Sequence, residues 1–175
     1  MRLDLTMGRG VLMISLLLAA ACTYTPEGVQ PISGFDASRY MGRWYEVARL
    51  PNRFEKNLEQ ITATYALQDD GSVQVVNRGF DTKKNEWRDI VGRAKFVGPT
   101  DVAALKVSFF GPFYGGYNVV DLDPGYKNAL VVGPNRSYLW ILSREPQPPA
   151  EVIERLKRKA DELGFDTRSL VYARH

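Results

Sequence analysis

Between residues 43 and 143 the chain alternates short apolar-rich runs with turn formers, and few folds can be written in that rhythm. The runs cover 43–50, 60–68, 73–80, 86–97, 103–110, 116–122, 128–133 and 137–143. Between them stand Asp69-Asp70-Gly71, the stretch from Asp81 to Asn85, Gly98-Pro99-Thr100, Gly111-Pro112, Asp123-Pro124-Gly125 and Gly133-Pro134-Asn135. Proline fixes φ, glycine permits positive φ, and Asp and Asn cap local backbone, so each cluster turns the chain. Eight strands at such close spacing predict an all-β sandwich or barrel. Within the strands residues sort by parity. Ile61, Ala63, Tyr65 and Leu67 oppose Thr62 and Thr64; Leu105, Val107 and Phe109 oppose Lys106 and Ser108; Gly92, Ala94 and Phe96 oppose Arg93 and Lys95. One apolar and one polar face per strand fits a sheet closed on itself, which also removes its edges.

One helix follows. Pro148-Pro149 opens it, Glu151 and Glu154 occupy its early turns, and Lys157, Arg158 and Lys159 come later, a polarity that suits the helix dipole. Val152, Ile153, Leu156, Ala160 and Leu163 form one stripe, and Gly164 ends the helix. The basic cluster 155–159 reads as a solvated face, or as a contact for anionic lipid headgroups. Residues 168–173 have the pattern of a last short strand.

The N-terminus is an address rather than a fold element. Residues Val11 to Ala21 form an uncharged apolar run after Arg2 and Arg9, too short to span a bilayer, which takes roughly 20 residues as a helix. The run has the form of a secretory h-region, and it ends in Ala19-Ala20-Ala21-Cys22. That tetrapeptide resembles a bacterial lipobox, in which the cysteine thiol takes a diacylglycerol and the freed amine is acylated. Ala19 departs mildly from the leucine more usual there. Two or three acyl chains hold a protein at a membrane essentially permanently, where one holds only marginally. Thr23 follows the cysteine, where an aspartate would resemble the inner-membrane retention signal of enterobacterial lipoproteins, so the resemblance favours the outer membrane. The organisation expected is a lipoprotein signal peptide over 1–21, a lipidated tether over 22–33 and a barrel domain over 34–175.

Composition narrows the chemistry. A net charge of +3 and a pI near 9.0 are too slight to argue for nucleic acid as a partner. Cys22 is the only cysteine and His175, the last residue, the only histidine. No intramolecular disulfide can form, a metal site of His and Cys ligands has almost nothing to draw on, and neither a thiol nucleophile nor a histidine-based triad is at hand. Ser108 or Ser143 would need another base, and Glu46 lacks an evident partner. No enzyme and no cofactor are expected.

Three short motifs carry a family resemblance. Gly42-Arg43-Trp44-Tyr45-Glu46 opens the first strand just after a single helical turn at Asp36 to Met41; Asp123-Pro124-Gly125-Tyr126 lies between the sixth and seventh strands; Arg144 closes the eighth. In order and spacing they resemble the G-x-W, D-x-x-Y and late basic residue of the lipocalins. The segment from Phe109 to Asn118 is similar to bacterial outer-membrane lipoprotein lipocalins of the Blc type, a branch related to apolipoprotein D. The likeness runs over about residues 34–173. It implies an eight-stranded antiparallel up-and-down barrel with the helix packed outside, one end plugged by Trp44 beneath Arg144, the other open. Gly42, Trp44, Asp123, Tyr126 and Arg144 are then scaffold. Many lipocalins tie the C-terminal segment to the barrel by a disulfide; here packing alone is left to hold it.

The resemblance also implies binding, storage or transport of a hydrophobic ligand, a fatty acid such as palmitate or a lysophospholipid. Candidate lining residues are Tyr65, Phe96, Val107, Phe109, Tyr114, Tyr117, Trp140 and Leu142, with Gly92, Ala94, Gly115 and Gly116 leaving space. Which face of each strand points inward is open at this stage. So are a filled barrel serving as a structural envelope spacer and, further off, a lipocalin-type enzyme, and so is a homodimer. Expected partners are the lipid ligand and the membrane through the acylated N-terminus.

Overall fold

The computed structural model describes residues 24–175, so the predicted signal peptide and Cys22 lie outside the described residues. A helical turn, α1 (Ala37–Tyr40), leads into β1 (Gly42–Arg49), and β2 (Leu58–Leu67), β3 (Val73–Asp81), β4 (Glu86–Phe96), β5 (Ala104–Phe110), β6 (Phe113–Leu122), β7 (Asn128–Val132) and β8 (Leu139–Ser143) follow. Each strand pairs antiparallel with the next, and β1 pairs with both β8 and β2, which closes an up-and-down barrel. Helix α2 (Ala150–Glu162) packs outside, and a 3₁₀ turn at Thr167–Ser169 leads to β9 (Val171–Tyr172). Strand β6 begins three residues before the expected 116, because Gly111 and Pro112 suffice for the turn and Phe110 pairs with Phe113.

The closed end is built by the three motifs together. Trp44 is fully buried, and its indole N–H donates to the Tyr40 carbonyl at 2.8 Å. The Arg144 guanidinium lies 4.0 Å over that indole. It also donates to five carbonyls: Arg43 at 2.7 Å, Met41 at 2.8 Å, Arg39 and Tyr40 at 3.1 Å, and Tyr126 at 3.3 Å. Gly42 has φ +90°, and a Cβ there would stand 3.4 Å from Arg144 Nη1, so glycine serves both the bend and the close approach. Asp123 gathers the N–H groups of Gly125, Lys127 and Asn128. The turn it makes sets the Tyr126 hydroxyl to accept from Asp36 N, with Arg39 stacked 4.0 Å above the Tyr126 ring.

The wall has two cores. The inner one runs through Trp44, Tyr65, Val75, Leu105, Val119 and Val131. The outer one lies between α2 and the strands beneath it, with Val47, Leu130, Val132, Ile141, Leu156 and Ala160. Burial on both faces accounts for the unbroken apolar run 129–132 in β7, where alternation would otherwise be expected. Arg155 of the basic cluster is spent on Asp121 of β6, at 2.7 Å. The C-terminal turn of α2 closes with Gly164 at φ +81° and Phe165 N donating to Ala160 O.

Two expectations are corrected. The tether is not loose from Tyr24 onward: that segment crosses the outside of the barrel from the open end to the closed end. Asn118 Nδ2 donates to Tyr24 O at 2.7 Å, Thr25 Oγ1 to Asn118 Oδ1 at 3.0 Å, Ile32 N to Val119 O and Ala103 N to Ile32 O, both at 2.9 Å, and Val29 is buried in the outer core. Nor is the C-terminal tail held by packing alone. Strand β1 gives one edge to β2 at Gly42–Tyr45 and the rest of it to β9 at Ala48 and Arg49. Ala173 N donates to Val47 O, Gln60 N to Arg174 O, and the His175 ring nitrogen bonds Glu46 O at 2.7 Å. Backbone pairing does what a disulfide does elsewhere.

Arg144→Ala removes the cation–π contact and the donor to five carbonyls. It is expected to cost about 3 kcal/mol, a Tm lower by roughly 10 °C in thermal melts. Arg144→Lys recovers only a part, since an ammonium lacks the planar fork; a loss under about 1 kcal/mol in Arg144→Ala would show that the plug stands without it. Truncation after Leu170 is expected to speed hydrogen exchange of the Gln60 amide while leaving Val131 protected. Unchanged exchange at Gln60 would mean that the tail contributes nothing to the edge.

Candidate binding cavity

Parity in the closed barrel turns the apolar set inward. Ile61, Ala63 and Tyr65 from β2, Val73, Val75 and Asn77 from β3, Ala94 and Phe96 from β4, Leu105, Val107 and Phe109 from β5, Tyr117 from β6 and Leu142 and Trp140 from β8 line an inner chamber of about 110 Å³. Above it opens a mouth of about 660 Å³ between the loops at the open end. The two share Glu55, Ile61, Asn77, Val107, Phe109, Gly116 and Trp140, so the chamber adjoins the mouth. The mouth is wide on one side because β4 pairs with β5 only over Arg93–Phe96, leaving 86–92 without a β5 partner.

Of the sequence candidates, Tyr65, Phe96, Val107, Phe109, Tyr117, Trp140 and Leu142 meet in the chamber, and Tyr114 stands at the mouth. The glycines do something other than expected. A Cβ on Gly92 would lie 2.7 Å from the Phe109 ring, and one on Gly116 would collide with Tyr24 O at 1.8 Å. Each makes room for a neighbour, one inside and one outside the wall; of these three glycines, Gly115 alone has open space around its Cβ position.

The floor is a hydrogen-bonded aromatic stack. The Tyr117 hydroxyl lies 2.8 Å from that of Tyr40 and 2.9 Å from that of Tyr65, and the Tyr40 ring sits 4.7 Å from Trp44. Burial raises the pKa of all three tyrosines, so they stay neutral. Their hydroxyls satisfy one another, and the floor asks for no polar ligand atom.

The polar part of the wall was invisible in the sequence, and the reading that Glu46 lacks a partner is overturned. Glu46 and Arg49 are three apart on a strand, which should put them on opposite faces. A β-bulge between Glu46 and Ala48 changes the parity, sends both Val47 and Ala48 into the outer core and brings Arg49 to the face of Glu46. Arg49 Nη1 donates to Glu46 Oε1 at 2.6 Å, its Nε lies 3.5 Å from Glu55 Oε2, and its Nη2 donates to Glu55 O at 3.0 Å. Trp140 Nε1 donates to the Glu55 carboxylate at 3.2 Å, and Asn52 Nδ2 to the same group. Burial first, then the neighbouring Glu55 carboxylate, pushes Glu46 up to about 8 against the pull of Arg49. Two carboxylates facing one guanidinium keep a proton at neutral pH, and the cluster carries no net charge. It also fastens the 50–57 loop over one side of the mouth. Among the described residues no group of three His, Cys, Asp or Glu gathers in metal-binding geometry. Ser143 Oγ accepts from Glu145 N, and Ser108 stands between two lining residues without lining the cavity itself.

Comparison with known proteins agrees with this architecture. The Lipocalin-like domain family matches residues 35–175. The outer membrane lipoprotein Blc of Escherichia coli strain K12 is 49% identical over 157 residues, covering 90% of this chain and 89% of that protein. Temperature-induced lipocalin-1 of Arabidopsis thaliana is 41% identical over 151 residues, covering 81% and 80%. Insecticyanin of the tobacco hornworm Manduca sexta superposes with a TM-score of 0.69 over 87% of this chain and 86% of that one; at 21% identity it shares the fold alone. Plugged at one end by Trp44 and Arg144, open at the other, and alike in sequence over nine-tenths of its length, the chain belongs to the lipocalin family.

Proposed function

We propose that the protein binds and carries a single-chain amphiphile, a fatty acid or a lysophospholipid, with its tail in the barrel and its headgroup at the mouth. The observation that carries this is a mainly apolar inner chamber adjoining a mouth whose volume falls in the size range of small-molecule sites, roughly 300–1,000 Å³. A spacer with a filled barrel would have no such space. Burying a 16-carbon chain is worth on the order of 12 kcal/mol gross, and association costs of roughly 4–15 kcal/mol leave affinities from weak to tight. Asn77 Oδ1 is buried at the junction of chamber and mouth without a hydrogen-bond partner among the described residues, and it is available to a polar group of the ligand. The role is carriage rather than catalysis, since the lining consists mainly of apolar and mutually satisfied groups.

The second part of the proposal is location. The lipobox-like Ala19-Ala20-Ala21-Cys22 supports acylation at Cys22, and the relatives called outer membrane lipoproteins support the outer membrane as the site of anchoring.

Native mass spectrometry of residues 23–175, delipidated and then titrated with palmitate and with a lysophospholipid, tests the carrier. One bound lipid per chain is expected, and a mass that stays apo throughout the titration would sink the reading. Ala94→Phe, which fills the chamber, is expected to weaken binding at least about tenfold, equivalent to 1.4 kcal/mol, with the far-UV spectrum unchanged; equal affinity would put the tail elsewhere.

The acid cluster sets a pH dependence of stability. The folded pKa of Glu46, about 8, stands above its value of 4.5 when free, so folding takes up a proton between those values. Stability contributed by the protonated form is complete below about pH 4.5 and falls as pH rises toward 8, at up to about 1.4 kcal/mol per pH unit. Glu46→Gln is expected to flatten the decline of Tm between pH 5 and 8; parallel curves for the two proteins would show that Glu46 is ionised throughout.

A further inference from the structure

We propose that the open mouth of the barrel docks on the bilayer that anchors the chain, with Phe54, Phe110, Phe113 and Tyr114 set into the lipid surface. The proposal rests on the carrier and anchor readings above and adds an orientation to them.

The first observation is the rim. Phe54 is 60% exposed, Phe110 66% and Phe113 76%, and Tyr114 is 39% exposed. All four belong to the wall of the mouth, on the β1–β2 loop and the β5–β6 hairpin. Among the described residues, every exposed phenylalanine is there. Large aromatic side chains gathered in water at one end of a soluble barrel mark a surface that is covered in use. Aromatic rings are also the side chains that settle at the boundary between headgroups and acyl chains.

The second observation selects the occupant. The first described residue, Tyr24, is fixed at the mouth, its carbonyl over Gly116 and bonded to Asn118, with Pro134 of the β7–β8 loop beside it. A single residue, Thr23, separates it from Cys22, so the two are at most about 7 Å apart in the most extended chain. An acyl anchor on Cys22 therefore starts beside the rim, and the open end is brought against the membrane surface. Had the 24–33 segment been the loose linker that its two prolines and glycine suggest, any face of the barrel could have met the bilayer.

Charge agrees. Lys106 Nζ lies 5.1 Å from the centre of the Tyr114 ring and 5.5 Å from that of Tyr24, and the Arg53 guanidinium lies 4.8 Å from that of Phe54. Neither cation is ion-paired among the described residues, whereas the acidic groups at the mouth are: Asp89 with Arg78, and Glu55 with Arg49. The rim thus offers aromatic rings flanked by free cations to anionic headgroups. A single-chain lipid could then pass between the leaflet and the cavity without crossing bulk water.

The test uses the full mature chain, isolated with its acyl groups and placed in vesicles of phosphatidylethanolamine and phosphatidylglycerol. An environment-sensitive fluorophore is attached to a single engineered thiol, Phe113→Cys at the rim or Thr100→Cys on the exposed loop at the closed end. The label at 113 is expected to shift to the blue and to be quenched several-fold more strongly than that at 100 by a nitroxide-bearing lipid. Equal, water-like emission at both positions would overturn docking. A blue shift at 113 that needs no vesicles and grows with protein concentration would also overturn it, assigning the rim to a second copy of the chain. The same preparations separate this proposal from the readings it rests on. Intact mass reports acylation, and titration with palmitate reports carriage. Binding with a dry closed end and a wet rim would leave the carrier standing without the docking. Immersion of position 113 with no lipid binding would leave the docking standing without the carrier.

Discussion

A barrel that is to hold something must be shut at one end, and here the closure hangs on a single guanidinium. Arg144 meets carbonyls from α1, from the start of β1 and from the β6–β7 turn, and lies across Trp44. Those carbonyls are the orphans left where a helical turn passes into a strand and where a chain reverses, and no regular pairing is available to them. One planar, multiply donating side chain satisfies them all and shields the ring that seals the floor. The three motifs that look unrelated along the sequence are thus parts of one joint. With the end fixed, the tyrosine stack on Trp44 has a base, and the free volume is displaced toward the mouth.

Much of this was legible because it depends on period and turn chemistry. Alternation in 61–65, 92–96 and 105–109 gave the strands, and the apolar residues of those sets, Gly92 excepted, line the chamber. The stripe of α2 from Val152 to Leu163 packs where its spacing says. What could not be read had specific causes. The bulge at Glu46–Ala48 breaks the parity on which face assignments rest, so the Glu46–Arg49 contact is hidden in a spacing that argues against it. Gly92 and Gly116 are small for the sake of a ring and a backbone carbonyl from elsewhere in the chain, which no local pattern reports. The 24–33 segment has linker composition yet adheres to the wall, because Asn118, 94 residues from Tyr24, supplies the partner for it.

The distribution of polar groups follows the division of labour along the barrel axis. At the floor, hydroxyls bond only to one another. Midway, two carboxylates and a guanidinium form a cluster that is neutral while one proton remains. At the mouth, cations stand beside aromatic rings. Polarity rises from floor to rim in the order in which an amphiphile inserted tail-first would present its own groups.

The two cores give the wall unequal thickness, and that inequality is mechanical. Strands β7 and β8, with parts of β1 and β6, are clamped between the inner core and α2. Strand β4 faces solvent over most of its outer side and is joined to β5 by four residue pairs alone. The barrel therefore has a stiff spine and a compliant leaf. A guest too wide for the chamber is accommodated by bending the leaf at its mouthward end, where no hydrogen bonds to β5 must break, so tolerance for girth is set by β3 to β5 while tolerance for length is set by the fixed floor.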